Sequence, residues 1–570
     1  MTTTVAPGPG AVPTERRHHG VEALWRRELE GYPTTRARLG YLSVLVGATI
    51  VLYYEAYAPG GVSPLILAHY RMSFTYYLNL LVVGAVFGAF ATWLGGFSDK
   101  VGRANMIIWG QLVVALLTLF AVPRAPSTTW YAAMVIVVGM VEGVILVASP
   151  ALVRDFSPQM GRASAMGFWT LGPVAGSLIV SIVANHTLSH LHAWQDQFII
   201  AGTVGLVMFV ISLLFLRELS PAIRDQRMVT VRDRIVVEAR ARGLDVSSML
   251  SHPVRQMLKW ELIASGFGVS VFLLIYYAAV GFFTIYFVTT YGMSTAQANG
   301  INTWGWAFNC VALVVAGVLS DRVRVRKPFM VLGAVGTVAM TMVFIWEANN
   351  AHLSYYSIVV MVSLLFAFLG IAYAPWMAHY TEAVERRNPA LTATGLAVWG
   401  WILRIVVALA TLAVPHVVTS VTPLVSYGGQ VQAVVARYPA LSYVDSQTLN
   451  ALAVASPPPA AVVKAITEIT GGQHVSQARA VNELLALRNL TPADKAILSH
   501  APAVVAAAKN GPTQWQRWWW VCLGGQVVFL VVIFTAIRGR WSPRRARQDI
   551  EEYEAKLRQE EEAVALRTAA

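Results

Sequence analysis

Three ionisable side chains interrupt long apolar stretches of this chain, and they are the residues best suited to chemistry. Glu55 lies in YYEAYAPGG, Glu142 in GMVEGV and Arg404 in WGWILRIVVALA. An isolated charge is costly in an apolar environment, so its presence there indicates function. A buried carboxyl group can exchange a proton, whereas arginine stays cationic and needs a carboxylate or an anionic ligand. Together they predict proton exchange coupled to the binding of an organic anion.

Each of these side chains also has a structural alternative. Glu55 could be a hydrogen-bonded glutamate near a membrane boundary, and Glu142 a neutral acid hydrogen-bonded between helices. Arg404 could pair permanently with either of them. Glu347 is followed by Ala-Asn-Asn, so we interpret it as a solvated residue at a helix end.

The elements that position these residues are membrane spans. Of the 570 residues, 56% are hydrophobic and 13% charged, far from the roughly 25% charged residues of soluble domains. Twelve apolar runs, each long enough to cross a bilayer, start near Leu39, Phe74, Met106, Trp130, Ala163, Phe198, Leu262, Ile301, Phe329, Tyr355, Leu391 and Trp518. The chain is therefore predicted to be an all-α membrane protein.

The net charge of +13 is explained by topology. Basic residues concentrate in alternate loops, with a cluster from Arg217 to Lys259, while the other short loops offer only Arg71 and Arg124. The positive-inside rule then places both termini in the cytoplasm and the protein in the cell (plasma or inner) membrane. The lipid bilayer is the expected partner, and nucleic acid is not needed to account for the charge. Residues 1–36 have the composition of a cytoplasmic tail, not of a signal peptide.

Each half of the chain has a related loop directly after its second apolar run. The first is GGFSDKVGRA and the second is GVLSDRVRVR. Their key residues are Gly95, Asp99, Lys100, Gly102 and Arg103 in the first copy, and Gly317, Asp321 and Arg322 in the second. The first copy resembles the signature loop of the major facilitator superfamily, a short cytoplasmic turn between helices 2 and 3. The resemblance implies a gate latch, two six-helix bundles and alternating access driven by a proton gradient.

An internal repeat agrees with the resemblance. Tyr70, Met72 and Ser73 recur as Tyr291, Met293 and Ser294 at nearly the same offset as the two loops. A duplication of this kind predicts a substrate cavity between the two halves.

Aromatic and amide side chains could complete that cavity, because the resemblance places spans 1, 7 and 10 around it. The candidates for substrate binding, with Arg404, are Tyr54, Tyr276, Tyr277, Asn302, Tyr373 and Trp376; Tyr57, Trp169, Asn309 and Trp399 are further aromatic or amide groups. Most such residues in membrane proteins serve packing. The sequence contains no GxxxxGK phosphate loop, and His474 and His500 are isolated. We therefore expect no cofactor, no metal and no enzymatic activity.

Glycine pairs predict close helix packing. Gly139 and Gly143 flank Glu142 with GxxxG spacing, and Gly172 and Gly176 lie in GFWTLGPVAGS. Small residues at this spacing let helix backbones approach one another. GFWTLGPVAGS also resembles a motif of drug:proton antiporters, whereas RELSP at Arg217 resembles a turn of sugar and organic-acid porters.

The domain boundaries follow from these features. We expect a tail (1–36), a first bundle (37–217), a cytoplasmic loop with an amphipathic helix (218–260), helices 7–11 (261–419), an insert (420–514), helix 12 (515–538) and a charged cytoplasmic tail (539–570). The insert is predicted to be mainly helical and extracytoplasmic, for example in PPAAVVKAITEIT and in a helix capped by Thr491. A lid or a docking site for an envelope protein partner is a candidate role.

The combined prediction is a secondary active transporter, with proton-coupled symport of a small organic acid or polar metabolite preferred. Efflux of drugs by proton antiport is the alternative within transport. A membrane sensor or assembly scaffold that displays the insert is the alternative from another class.

Overall fold

A computed structural model describes residues 25, 27–91, 102–156, 162–220, 223, 253–348, 350, 353–387, 392–452, 457–488, 490–538, 541–544 and 548. Gly95, Asp99 and Lys100 of the first loop lie outside the described residues, as do most of the predicted amphipathic helix and of both tails.

The described part of the first half contains a two-residue strand, seven helices and a second strand. They are β1 (Glu28–Leu29), α1 (Thr35–Gly61), α2 (Ser63–Tyr70), α3 (Phe74–Ala91), α4 (Arg103–Leu116), α5 (Thr128–Phe156), α6 (Arg162–Thr187), α7 (Trp194–Phe215) and β2 (Glu218–Leu219). A π-helical turn, Leu117–Ala121, continues α4. Apart from β1 and β2, the regular structure of the described residues is helical, as predicted.

The second half repeats this order and adds the insert. Its membrane helices are α9 (Trp260–Phe272) and α10 (Leu274–Tyr291), which form one span, then α11 (Thr295–Val323), α12 (Lys327–Glu347), α13 (Tyr355–Arg387), α14 (Thr392–Val417) and α21 (Ala501–Thr535). The short helix α8 (Pro253–Met257) precedes them. The insert contains α15 (Val421–Pro423), a π turn (Leu424–Gly428), α16 (Gly429–Arg437), a 3-10 turn (Pro439–Ser442), α17 (Ser446–Leu452), α18 (Pro459–Gln473), α19 (Gln477–Arg488) and α20 (Pro492–Leu498).

Eleven helical stretches among the described residues are long and apolar enough to cross a membrane. Helix α6 contributes a shorter apolar stretch, Leu171–Thr187, in the position of the predicted fifth span. The last helix differs most from its predicted start near Trp518, because α21 begins at Ala501. The segment APAVVAAAK is rich in alanine, the strongest helix former, so the helix extends from the apolar run into the insert.

The same helix pairs pack in both halves. Helices α3 and α5, α4 and α5, and α4 and α7 are in contact in the first half, and α11 and α13, α12 and α13, and α12 and α21 are their counterparts. Helix α1 likewise packs on α6 and α7, as α9 packs on α14 and α21. The halves meet through α1 with α10, α6 with α11, and α3 with α14. This pairing is what a duplicated bundle with a two-fold relationship produces.

Close contacts between the bundles occur at one end of the helices, which we call the insert end because the insert joins there. The opposite end is called the terminal end. The side-chain amide of Asn299 donates to the carbonyl of Gly61 across the interface at 2.7 Å. A Cβ atom at Gly60 would overlap the carbonyl oxygen of Val280. Glycine at position 60 therefore allows the two backbones to touch.

The insert is attached to both bundles. The hydroxyl of Thr422 accepts a hydrogen bond from the backbone N–H of Phe74 in the first bundle, at 3.0 Å. On the second bundle, the side-chain oxygen of Gln514 accepts from the backbone N–H groups of Thr419 and Ser420, both at 2.9 Å. The root of the insert thus bridges the insert ends of α3 and α21.

The distal part of the insert has a small hydrophobic core of its own, built around Ala465, Ile469 and Leu484. The predicted cap is present, since the Thr491 hydroxyl accepts from the backbone N–H of Asp494 at 3.1 Å. On its surface, hydrogen bonding from Lys464 lowers the pKa of Asp445. Docking of an envelope protein on this domain stays a prediction.

At the terminal end, β1 pairs in parallel with β2. The backbone carbonyl of Trp25 accepts a hydrogen bond from the Asn105 side chain at 2.8 Å. The segment before α1 is therefore fastened to the segment that follows α7.

We expect Gly60→Ala to hinder closure at the insert end, because the new methyl group overlaps backbone and overpacking costs about 1–3 kcal/mol. Ser181 of α6 is buried and lies beside the same cavity as Gly60. A cysteine placed at this position should therefore be alkylated faster in the Gly60→Ala variant, measured after the two cysteines of the chain, Cys310 and Cys522, are replaced. Gly40→Ala is the control in the same helix, since nothing lies within 4 Å of its Cβ position. Equal alkylation rates in the two variants would show that Gly60 does not set the approach of the bundles.

Candidate functional site

A cluster of tyrosines lies between the bundles. Tyr53 and Tyr57, one helical turn apart on α1, have ring centroids 5.3 Å apart. Tyr276 and Tyr277 of α10 are also 5.3 Å apart, in an edge-to-face arrangement. Tyr373 of α13 interacts electrostatically with Tyr53 and with Tyr276. The cluster therefore receives side chains from both halves, where the duplication predicted a cavity.

Arg404 of α14 supplies a positive charge to this cluster. Its side chain is exposed and interacts electrostatically with Tyr53, Tyr277 and Glu142. Its guanidinium folds back along α14, with one nitrogen 4.0 Å from the Cβ position of Gly400. Within the described part of the chain, Arg404 forms no ion pair. A cation that is near an acid but not bound to it can accept an anionic ligand.

Glu142 is the acid of the cluster. Gly139 and Gly143, which flank it on α5, pack against Gly84 and Gly88 of α3, as the GxxxG spacing predicted. Glu142 acts electrostatically on Tyr53 and Tyr57 in addition to its interaction with Arg404. The structure thus brings one acid and one cation, from opposite bundles, to one group of tyrosines.

Glu55 lies on another face of α1, inside the first bundle. It is 2% exposed, and its Oε1 fills the space beside Gly205 of α7, near Ala115 of α4. Neither carboxyl oxygen has a hydrogen-bond partner among the described residues. An ionised carboxylate without partners is costly, so the neutral acid fits this place. Tyr54, 2% exposed, interacts electrostatically with Glu55.

Trp376 packs against Tyr373, one member of the tyrosine cluster. It is fully buried, and its indole N–H donates to the hydroxyl of Ser265 at 3.0 Å. Its ring stacks on Tyr373, with centroids 6.0 Å apart, and packs against Trp399 at 5.2 Å. Trp376 therefore orients Tyr373.

The remaining candidate, Asn302, lies towards the insert end. It is buried on α11, and its amide nitrogen donates to the Thr284 hydroxyl at 3.3 Å.

Sequence reasoning missed Tyr53 as a member of the site. Its spacing of four residues from Tyr57 places both rings on the same face of α1, and this was the signal that could have identified it. Gly172 and Gly176 of α6 pack against Thr49 and Tyr53, which confirms the predicted close approach and holds Tyr53 in place.

The described part of the first gate loop meets the RELSP turn. Gly102 has φ of 98°, and a Cβ there would overlap the Glu218 carboxylate. Glu218 accepts a hydrogen bond from the backbone N–H of Arg103 at 2.7 Å, which satisfies a free donor at the start of α4. The Arg103 guanidinium also binds Asp155, at the end of α5, at 2.8 Å.

The second loop forms a similar set of ion pairs between an arginine and carboxylates. Arg326, not Arg322, binds both Asp321 and Glu382. Burial alone would lower the pKa of Arg326, but the two carboxylates outweigh it and raise that pKa. Glu382 lies on α13, as Asp155 lies on α5, so the Arg–carboxylate contact is repeated in both halves.

The family model of the Major Facilitator Superfamily matches residues 45–441, more than half of the chain. The chain belongs to the Major Facilitator Superfamily. It is therefore a multi-pass membrane protein with the fold of this superfamily, as the sequence predicted.

Curated relatives match shorter parts of this superfamily member. The niacin transporter NiaP of Acinetobacter baylyi is 29% identical over 135 residues, 23% of this chain and 28% of that protein. "Probable anion transporter 3, chloroplastic" of Oryza sativa is 23% identical over 260 residues, 42% and 49% of the two chains. The multidrug resistance protein MdtL of Shewanella oneidensis is 25% identical over 151 residues, 26% and 36%. The chain spans less than half of the length of these relatives.

Solved structures of superfamily transporters share the fold. A bacterial homologue of the human lysosomal transporter Spinster, inward-facing and occupied, superposes with a TM-score of 0.54 at 15% identity, covering 90% of this chain and all of the other. A D-xylose–proton symporter gives a TM-score of 0.52 at 15% identity, covering 68% and 91%.

We expect Gly102→Ala to destabilise the transporter, because alanine at φ of 98° is strained by about 1–2 kcal/mol and its methyl group displaces Glu218. Thermal unfolding of the purified protein should begin at a lower temperature. Gly317→Ala is the control, since its Cβ would meet only the Cβ of Ala374 at 4.0 Å. A melting temperature for Gly102→Ala that equals the control value would contradict the contact between the gate loop and RELSP.

Proposed function

We propose that this transporter carries a small organic anion by proton-coupled symport, with the anion at Arg404 and the proton at Glu142. The observation that supports this proposal is the cluster itself. It contains an exposed arginine that forms no ion pair among the described residues, one acid and five tyrosines, contributed by both bundles. An arginine fits a carboxylate with two parallel hydrogen bonds. Two relatives are a niacin transporter and a probable anion transporter, and both names agree with an anionic substrate.

Coupling follows from the electrostatics of the cluster. An ionised Glu142 attracts Arg404 and repels an incoming carboxylate. Two like charges roughly 8 Å apart repel by about 2 kcal/mol at an effective dielectric constant near 20. Protonation of Glu142 removes this repulsion and releases Arg404 for the anion, so substrate and proton bind together. Glu55, which interacts electrostatically with Glu142, is a second candidate for the proton.

The membrane orientation belongs to the same proposal. With the basic loops in the cytoplasm, the terminal end is cytoplasmic and the insert is outside. The tight contacts at Gly60 and Asn299 then close the outer side. The exposed Arg404 is accessible from the cytoplasm. The inner or plasma membrane is the location that fits this arrangement.

Drug efflux by proton antiport is the second candidate. The observation that favours it is the tyrosine wall, because aromatic faces attract organic cations, and Glu142 could exchange such a cation for protons. A multidrug resistance protein is among the relatives. Arg404 argues against a cationic substrate, since it would repel one.

We expect Arg404→Gln to weaken organic-anion binding by about 10-fold to 100-fold, the value of a charged hydrogen bond. Arg404→Lys should bind with intermediate affinity, because lysine keeps the charge but not the bidentate geometry. Binding of benzoate, niacin and a lipophilic cation to purified protein is the measurement. Arg124→Gln, at an exposed loop, is the control. Unchanged anion binding in Arg404→Gln, or cation binding that improves, would favour the efflux alternative.

We expect Glu142→Gln to separate transport from the proton gradient. In liposomes with an imposed pH gradient, the variant should lose accumulation of the anion but retain exchange of labelled for unlabelled substrate. Glu55→Gln is the matched comparison, because it removes the other buried acid while leaving the tyrosine cluster intact. Full accumulation by Glu142→Gln together with its loss in Glu55→Gln would move the coupling proton to Glu55.

A further inference from the structure

A small cavity lies between the bundles, on the insert side of the tyrosine cluster. Residues from α1, α6, α10 and α11 line it, among them Tyr57, Ser177, Ser181, Thr284, Asn302 and Trp306. Its volume is about 10 Å³, enough for one group of the size of a water molecule. The lining mixes polar and apolar side chains and contains no carboxylate, lysine, arginine or histidine.

The cavity offers hydrogen-bond acceptors whose donors are missing. Asn299 donates through its amide nitrogen to the carbonyls of Gly61 and Thr295 at 2.7 and 2.8 Å, which fixes the orientation of its amide. The side-chain oxygens of Asn299 and Asn302, both at least nine-tenths buried, have no partner among the described residues. The Ser177 hydroxyl donates within its own helix, to Pro173 at 3.0 Å. A buried acceptor without a donor is unfavourable, so a ligand that brings a donor gains affinity here.

This cavity continues from the tyrosine cluster. Tyr57 belongs to both, and the ring of Trp306 packs edge-to-face on Tyr276 with centroids 5.1 Å apart. A molecule held between Arg404 and Asn302 would therefore lie along aromatic faces for its whole length.

The rise along α1 and α10 gives the distance between the level of Arg404 and the small cavity. Tyr53 of α1 and Tyr277 of α10 are the residues that interact with Arg404. Gly60 and Thr284, at the cavity, each follow seven residues later on the same two helices. Seven residues of α-helix rise by about 10 Å. This separation is of the order of one six-membered ring that carries a polar group at each end.

We infer that the substrate is a ring-sized organic carboxylate with a hydroxyl or amino group at the end opposite its carboxylate. The side-chain oxygen of Asn302 accepts a hydrogen bond from this donor, and that of Asn299 is a second acceptor when the donor is an amino group. The inference rests on the proposed function for the position of the carboxylate at Arg404. The small cavity then determines specificity: a ligand without the donor leaves both side-chain oxygens unpaired. Ser177, Ser181 and Thr284 shape the space around the donor.

The test compares benzoate with 4-hydroxybenzoate, which differ only in the donor, by quenching of tryptophan fluorescence in the full-length purified protein. We expect the wild type to bind 4-hydroxybenzoate about 10-fold more tightly, the value of one hydrogen bond to a buried acceptor. Asn302→Leu should remove the preference, so that 4-hydroxybenzoate and benzoate bind with similar affinity. Thr284→Val, which removes the partner of the Asn302 amide, should reduce the preference even if Asn302→Leu fails to fold. Thr303→Val is the control, because its hydroxyl bonds within α11 at 2.9 Å and does not line the cavity.

The outcomes separate this inference from the proposed function. Equal affinities for the two ligands in the wild type, or a preference that survives Asn302→Leu and Thr284→Val, would overturn the donor site while Arg404→Gln still weakens both ligands. Affinity that depends on Na⁺ and not on the hydroxyl group would overturn it in favour of a cation site. Failure of either ligand to bind would reject both proposals.

Discussion

The positive charge of Arg404 is the constraint on which the proposed transport depends. Arginine does not release its proton inside a protein, so an arginine among apolar helices requires a negative partner or water. Here it is exposed, faces the opposite bundle and has Glu142 nearby but not paired with it. In the proposed transport cycle, Glu142 and the substrate would neutralise this charge in turn, which a static scaffold does not require.

The duplicated architecture explains how such a site is assembled. Each half packs its helices in the same pairs, and each contributes part of the cluster: Tyr53 and Glu142 from one, Tyr277 and Arg404 from the other. A site divided between two bundles changes shape when one moves relative to the other. Gly60 sets how closely they approach at the insert end, while Arg103 with Asp155, and Arg326 with Glu382, brace each bundle at the terminal end. Because the root of the insert contacts both bundles, movement at the insert end must also move the insert.

The sequence predicted the spans well because a bilayer requires about 20 apolar residues for each crossing, and such runs are visible without tertiary information. The apolar runs do not by themselves fix the orientation of individual side chains. Successive residues on a helix are about 100° apart, so Tyr53 lies in the cluster while Glu55 lies beside Gly205 inside the first bundle. Glu55, two residues from both Tyr53 and Tyr57, is turned away for the same reason. The choice of Arg326 over Arg322 depends on where α11 ends and α12 begins, and a repeat offset does not fix that to the residue.

The most direct test of the central claim, that anion and proton bind together, is proton uptake by the purified transporter. Benzoate is added to weakly buffered protein in detergent, and a pH indicator follows the solution. We expect uptake of about one proton per bound anion near neutral pH, absent in Glu142→Gln. Anion binding with no change in the indicator, or with release of a proton, would contradict proton-coupled symport through this site.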